Sequence, residues 1–140
     1  MTQSQTLPVM PRRVMGLYDK PFWDHVQQRN MCLQRCGHCQ AFQYPPGPVC
    51  SACLSEDLNW TKVSGRATIL SWVIFHRKYL EGYPAPYNVI TVRLDEGPIM
   101  VSNLDGAHPE GSWIGAHVDL HYAAMAEGLL LPRFKLSAKQ

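Results

Sequence analysis

Between residues 65 and 136 apolar and polar positions alternate in short runs, separated by glycine and proline. "GRATILSWVIFHR" (65–77), "PYNVITVRLDE" (86–96) and "PIMVSNL" (98–104) are rich in β-branched and aromatic residues, and each predicts a strand. Asp95, Glu96 and Gly97 predict the hairpin turn between the last two. "AHVDLHYA" (116–123) and "LLLPRFKL" (129–136) add two further strands around a Glu127-Gly128 turn. Upstream, "YDKPFWDHVQQRN" (18–30) changes the period and predicts a short helix, with Asp19 as N-cap, Pro21 in the first turn and Asn30 at the exit. Phe22, Trp23 and Val26 form one apolar stripe on it. So short a helix is unstable alone, so the stripe must dock, either on its own domain or on another subunit. Residues 1 to about 17 read as a flexible or partner-dependent arm.

Five strands without an intervening helical stretch fit a five-stranded Greek-key barrel of the OB type. The fold class expected is therefore mainly β: a short N-terminal helix, a cysteine-bearing ribbon, then the barrel. The expected division places arm and helix in 1–30, the ribbon in 31–63 and the barrel in 64–140.

The ribbon assignment rests on "CGHCQAFQYPPGPVCSAC" (36–53), which holds four of the five cysteines. Cys36, Cys39, Cys50 and Cys53 follow the spacing C-x2-C-x10-C-x2-C. Each C-x-x-C makes a tight knuckle that aims two thiolates at one point, and the ten-residue connection suits a hairpin stiffened by Pro45, Pro46, Gly47 and Pro48. Four thiolates at one point are the tetrahedral set that zinc prefers. All four positions would then be filled by protein, which predicts a structural rather than a catalytic metal. Iron in the same cage would make an electron carrier, an alternative that visible absorption distinguishes. His38 lies inside the first knuckle and reads as exposed, since the cysteine set is complete. Cys32, in "MCLQR", reads as a small buried hydrophobe.

Composition narrows the function classes. Apolar residues make up 46% and charged residues 17%, a globular balance, and a net charge of +2 argues against a strong polyanion partner. No run approaches the roughly 18 apolar residues of a membrane span. The N-terminus carries two prolines and the Arg12-Arg13 pair instead of a continuous apolar core, so a cytoplasmic setting is expected. In that setting paired cysteines read as metal ligands before disulfides.

Two other constellations could carry chemistry. In "HVDLH" the side chains of His117, Asp119 and His121 share one strand face, which would suit a metal or acid–base site. The commoner meaning of that alternation is the wet face of a half-buried strand. In "FHRKYLEGYPAPY" (75–87), His76, Arg77 and Lys78 interleave with Tyr79, Tyr83 and Tyr87. Such a loop could stack single-stranded nucleic acid, grip a nucleotide-like cofactor such as coenzyme A, or pack on a protein.

The motifs as a set carry a resemblance. "PFWDHV", "LQRCGHCQAFQYPPGPVCSAC", "TKVSGRATILSWVIFHR", "APYNVITVRLDEGPIMVSNL", "IGAHVDL" and "LPRFKL" together resemble the domain of unknown function 35 family, from about residue 18 to 136. In that family a rubredoxin-like zinc ribbon precedes an acyl-CoA-associated OB-fold. The resemblance implies an accessory subunit, usually encoded beside a thiolase-like protein and required for its activity or stability. Such pairs act on acyl-CoA thioesters by thiolysis, acyl transfer or retro-aldol cleavage, as in steroid and aromatic degradation. The nucleophile and acid–base groups would belong to the partner. Cys36, Cys39, Cys50 and Cys53 carry over as zinc ligands. No family motif marks coenzyme A contact, and Arg77, Lys78 and Tyr79 are assigned to it here only from the character of their loop. Ribbon and helix are expected to dock on the partner while the barrel helps close the acyl-CoA site. Rival expectations are a single-stranded nucleic-acid module and a rubredoxin-like electron carrier.

Overall fold

The structure is a computed structural model and describes residues 6–140, so the first five positions of the predicted arm lie outside it. The arm from residue 6 has no regular structure, yet it lies on the barrel. The Ala126 amide donates to the Pro8 carbonyl at 2.8 Å, and Val9 and Met10 press on Gly82 so closely that a Cβ there would collide with both.

Helix α1 (Asp19–Gln27) follows. Tyr18, not Asp19, holds the cap position, and it makes no side-chain cap bond. The chain already turns at Gly16, whose carbonyl accepts from the amides of Asp19 and Lys20. The Asp19 carboxylate therefore folds back to accept from the Gly16 amide at 2.9 Å, where it still complements the positive end of the helix dipole. At the other end Arg29 takes the left-handed conformation, φ 56°. The Asn30 amide then reaches the His25 carbonyl and the Arg29 amide reaches that of Val26, a Schellman closure. Phe22 (2% exposed) and Val26 (fully buried) point into the chain's own core. Trp23, the third member of the predicted stripe, packs against that core while staying partly exposed, so the stripe docks mainly on its own domain.

The ribbon is a three-stranded antiparallel sheet in the order β2-β1-β3, with β1 Cys32–Cys36, β2 Phe42–Gln43 and β3 Leu58–Lys62. The second sheet has five antiparallel strands: β4 (Arg66–Phe75), β5 (Tyr87–Leu94), β6 (Ile99–Ser102), β7 (His117–Ala124) and β8 (Leu130–Leu136). Their order is β6-β5-β4-β7-β8. A parallel bridge between Leu104 and Phe134 draws the two edges together and curls the sheet into a half-barrel. The hairpin turn at residues 95–97 forms as expected, with Gly97 at φ 115° and its amide donating to Leu94. Among the described residues no helix is long and apolar enough to cross a membrane.

Strand β4 carries a bulge between Ile69 and Ser71. Before it the odd positions Ala67 and Ile69 are buried. After it the even positions Trp72 and Ile74 pack on the core instead, because one extra residue reverses the alternation. The reversal sets Trp72 against Trp113, stacked at 4.6 Å.

One apolar cluster joins helix, ribbon and barrel, from Phe22 and Val26 through Met31, Leu33 and Val63 to Ile90, Val118 and Phe134. Polar ties reinforce the join. The Tyr122 hydroxyl accepts from the Met31 amide at 2.8 Å, and the Gln27 amide side chain bonds Gly128 and Leu130 across the last turn. Phe134 is fully buried beside the Leu104 bridge. We expect Phe134→Ala to lower unfolding free energy by about 3–5 kcal/mol, readable as a shift of the urea midpoint with ribbon and barrel probes moving together.

Candidate metal centre and an adjoining aromatic cavity

The two knuckles are built alike. After Cys36 the chain turns so that the Gln40 amide donates to the Cys36 carbonyl and the Cys36 amide to Ala41. After Cys50 the Leu54 amide donates to Cys50, and the Cys50 amide to Ser55. Gln40 and Leu54 both sit at positive φ, 66° and 64°, a conformation that usually falls to glycine. Their strain is carried by the turn each one closes.

These turns bring the sulfurs of Cys36, Cys39, Cys50 and Cys53 within 4.8 Å of one another. Cys36 lies 3.6 Å from Cys53 and Cys39 lies 3.6 Å from Cys50. Zinc–sulfur bonds of about 2.3 Å imply tetrahedral edges of ~3.8 Å, so the donor set fits a four-thiolate metal site. Backbone amides also point at the sulfurs: those of His38 and Cys39 at Cys36, and that of Ala52 at Cys50. The Cys39 amide, followed by the His38 amide and the neighbouring thiols, outweighs burial and brings the Cys36 thiol down to about 6. At Cys53 a lowering bond from the Ser55 backbone is outweighed by burial and by the three neighbouring sulfurs, and the thiol rises to about 12. Sulfurs this close cannot all be anionic without a cation between them. His38 is exposed, and Cys32 is buried with its thiol turned to the Asn30 carbonyl at 3.3 Å and pushed up by burial.

The connection between the knuckles is held by two buried glutamines that sequence reasoning did not single out. Gln34 (5% exposed) and Gln43 (8%) face each other from β1 and β2. Gln43 Nε2 donates to Gln34 Oε1 at 2.7 Å and to the Val49 carbonyl, while its Oε1 accepts from the Ser51 amide at 2.8 Å. Gln34 binds both the amide and the carbonyl of Gly47. The proline-rich hairpin is therefore fastened on either side of Cys50, and both side-chain amides have partners. Glutamine at alternating core-facing positions beside the knuckles was the available signal.

The other predicted constellations fare differently. His117, Asp119 and His121 do not assemble. Asp119 is exposed, His117 Nδ1 lies 3.4 Å from the Thr68 hydroxyl, and His121 Nε2 meets Asp105 at 2.8 Å. Arg133 approaches the other oxygen of Asp105 at 3.5 Å. In the 76–86 loop, Arg77 covers the Tyr79 ring and Lys78 pairs with Glu81, all at the surface. A cavity of about 350 Å³ opens beside them, lined by Ile74, Tyr83, Pro84, Tyr87, His108 and Arg133 among others. Asp105 and Arg133 reach it from distant strands and loops, and no local pattern marked them.

Comparison with known proteins gives this architecture its family. Residues 23–59 match the profile described as ChsH2, rubredoxin-like zinc ribbon domain. Residues 60–123 match ChsH2, C-terminal OB-fold domain. A solved chain from the "Ltp2-ChsH2(DUF35) aldolase" superposes with a TM-score of 0.82 and 30% identity, covering 89% of this chain and 98% of that one. The chain belongs to the ChsH2 (DUF35) family.

The chain is similar to a probable enoyl-CoA hydratase alpha subunit from Thermomonospora curvata, 31% identical over 99% of this chain and 44% of that protein's length. The 3-oxo-4,17-pregnadiene-20-carboxyl-CoA hydratase alpha subunit of Mycobacterium tuberculosis is 33% identical over 72% of this chain and 32% of its own. The chain therefore spans less than half the length of these two relatives.

Replacing Gln43 with leucine would strand the Ser51 amide, the Val49 carbonyl and one bond to Gln34. We expect a loss of about 2–3 kcal/mol and faster metal release to a chelator. Gln34→Leu should behave alike, whereas Gln28→Leu on the exposed helix end should leave both readouts unchanged.

Proposed function

We propose that this chain is a non-catalytic, zinc-holding OB-fold subunit of a thiolase-like complex acting on acyl-CoA thioesters by thiolysis, acyl transfer or retro-aldol cleavage. The observation that carries this reading is its near full-length likeness to the DUF35 chain of the Ltp2-ChsH2 aldolase, which is named for two components. The names of the two hydratase relatives, both built on coenzyme A thioesters, point to the same substrate class.

In this reading Cys36, Cys39, Cys50 and Cys53 are the zinc ligands. A bound zinc would neutralise the thiolates and lock the two knuckles, and with four protein ligands it would leave no position for substrate. The chain's own part is to present a shaped surface and to help enclose the ligand, with coenzyme A contact on the 76–86 loop side of the barrel, where Arg77, Lys78 and Tyr79 lie. The partner supplies nucleophile and acid–base groups.

With Phe22 and Val26 of the helix buried, the partner surface falls to apolar side chains the fold leaves outside. Val73 (49% exposed), Ile99 (44%) and Val101 (69%) lie on the outer face of β4 and β6, next to the paired Val89 and Thr91 of β5. We assign this face to the thiolase-like subunit, continuing the aromatic loop at its end.

Co-expression with a thiolase-like protein should yield a stable complex that turns over an acyl-CoA, with zinc bound at one per chain. Turnover by this chain alone would contradict the reading, and iron with visible absorption would favour an electron carrier. Val101→Asp should leave the thermal midpoint within about a degree or two, as exposed substitutions do, yet abolish co-purification. Cys50→Ser should lose zinc, folding and assembly together.

A further inference from the structure

The cavity beside the 76–86 loop has the size of a small-molecule site. Tyr83 and Tyr87 form its aromatic wall, and Asn88 and Asn103 are polar members of the lining. Tyr87 is braced from behind by Phe75, stacked at 5.1 Å, and Tyr83 stands 5.4 Å from Tyr87. Pro84, Pro86 and Ile74 extend the apolar lining. Into this lining β8 places one cation, Arg133, whose guanidinium lies 5.6 Å from the Tyr83 ring centroid.

Arg133 is underused. Its side chain is 15% exposed, a depth at which an arginine needs most of its donors satisfied. Nη1 has one contact, at the 3.5 Å limit, with Asp105 Oδ1. Nε is buried without an acceptor among the described residues. The other oxygen of Asp105 pairs with His121 at 2.8 Å, so the carboxylate divides its charge between His121 and Arg133. Asp105 lines the cavity beside Arg133, together with His108, which is itself packed against Trp113 at 4.8 Å.

We propose that this cavity binds a planar ligand bearing an oxyanion, with the aromatic ring against Tyr83 and Tyr87 and a carboxylate or phosphate paired with Arg133. A guanidinium offers such a group two parallel donors, and the ring walls supply stacking area that tolerates many ring types. The inference goes beyond the acyl-thioester reading, because binding here is a property of this chain with or without a partner. Nucleotides and aromatic acids share the required chemistry.

Chemical-shift titration of the full chain separates the two. The probes are adenosine 5′-monophosphate against adenosine and inorganic phosphate, and benzoate against benzamide. Saturable shifts centred on Ile74, Tyr83 and Tyr87 are expected for at least one ring-bearing anion, at least about tenfold tighter than for its uncharged or ringless counterpart. Arg133→Gln should weaken the anion about tenfold and leave adenosine and benzamide unchanged, and Arg133→Lys should recover part of the loss. Should Arg133→Gln fail to fold, Tyr83→Ala on the loop must weaken both charged and uncharged ring probes. Response to the nucleotide alone or to benzoate alone identifies the source and supports the site. The proposal is overturned by an absence of saturable shifts with either anion, by shifts on another face, or by a folded Arg133→Gln protein, or a Tyr83→Ala protein, that binds as tightly as the parent.

Discussion

Phe22 and Val26 of the helix, Met31 and Leu33 of the ribbon and Phe134 of the last strand lie in a single buried cluster. Neither a ribbon of about thirty residues nor a half-barrel of about seventy buries much apolar surface alone. By sharing one core they reach the size at which a domain becomes stable, and the helix acts as the wedge between them. The Tyr122 bond to Met31 and the Gln27 bonds to Gly128 and Leu130 are polar fastenings on the same seam. Relative placement of ribbon and barrel is thus a packing outcome rather than the property of a linker.

The ribbon answers a different problem. Its outer half has little core, so order there comes from closed hydrogen bonding and from sulfur geometry. Gln34 and Gln43 satisfy the backbone around the proline-rich hairpin and place Cys50 opposite Cys36 and Cys39. The sulfurs then crowd to separations that thiolates tolerate only around a cation. The cage and the glutamine pair are therefore coupled, since the second positions the first and a metal in the first would hold the second in place.

The barrel presents two surfaces of contrasting character. One is the outer face of β-branched residues on β4, β5 and β6, and the other is the aromatic cavity closed by Tyr83, Tyr87 and Arg133. Both adjoin the 76–86 loop, so a subunit seated on the first would lie beside whatever occupies the second. The arm is pinned over Gly82 and adds a third boundary to that region.

Much of this was written in local pattern. The five barrel strands, the Asp95–Gly97 hairpin, the helix and the cysteine knuckles follow from alternation, turn residues and spacing, which act over a few positions and so survive without knowledge of the rest. What escaped was whatever depends on residues far apart. The bulge after Ile69 reverses the inward face of β4, and the packing of Ile74 and the Trp72–Trp113 stack reward it. Asp19 lost its capping role because Gly16 had already turned the chain. His121 chose Asp105 over its strand neighbour Asp119, and Arg133 met Tyr83 across the barrel mouth. By itself the sequence determined which segments are strands and that four thiols converge, since spacing sets both. Only the tertiary structure decided where the helix stripe is spent and which side chains line the cavity, because burial and charge pairing are settled between elements and not within them.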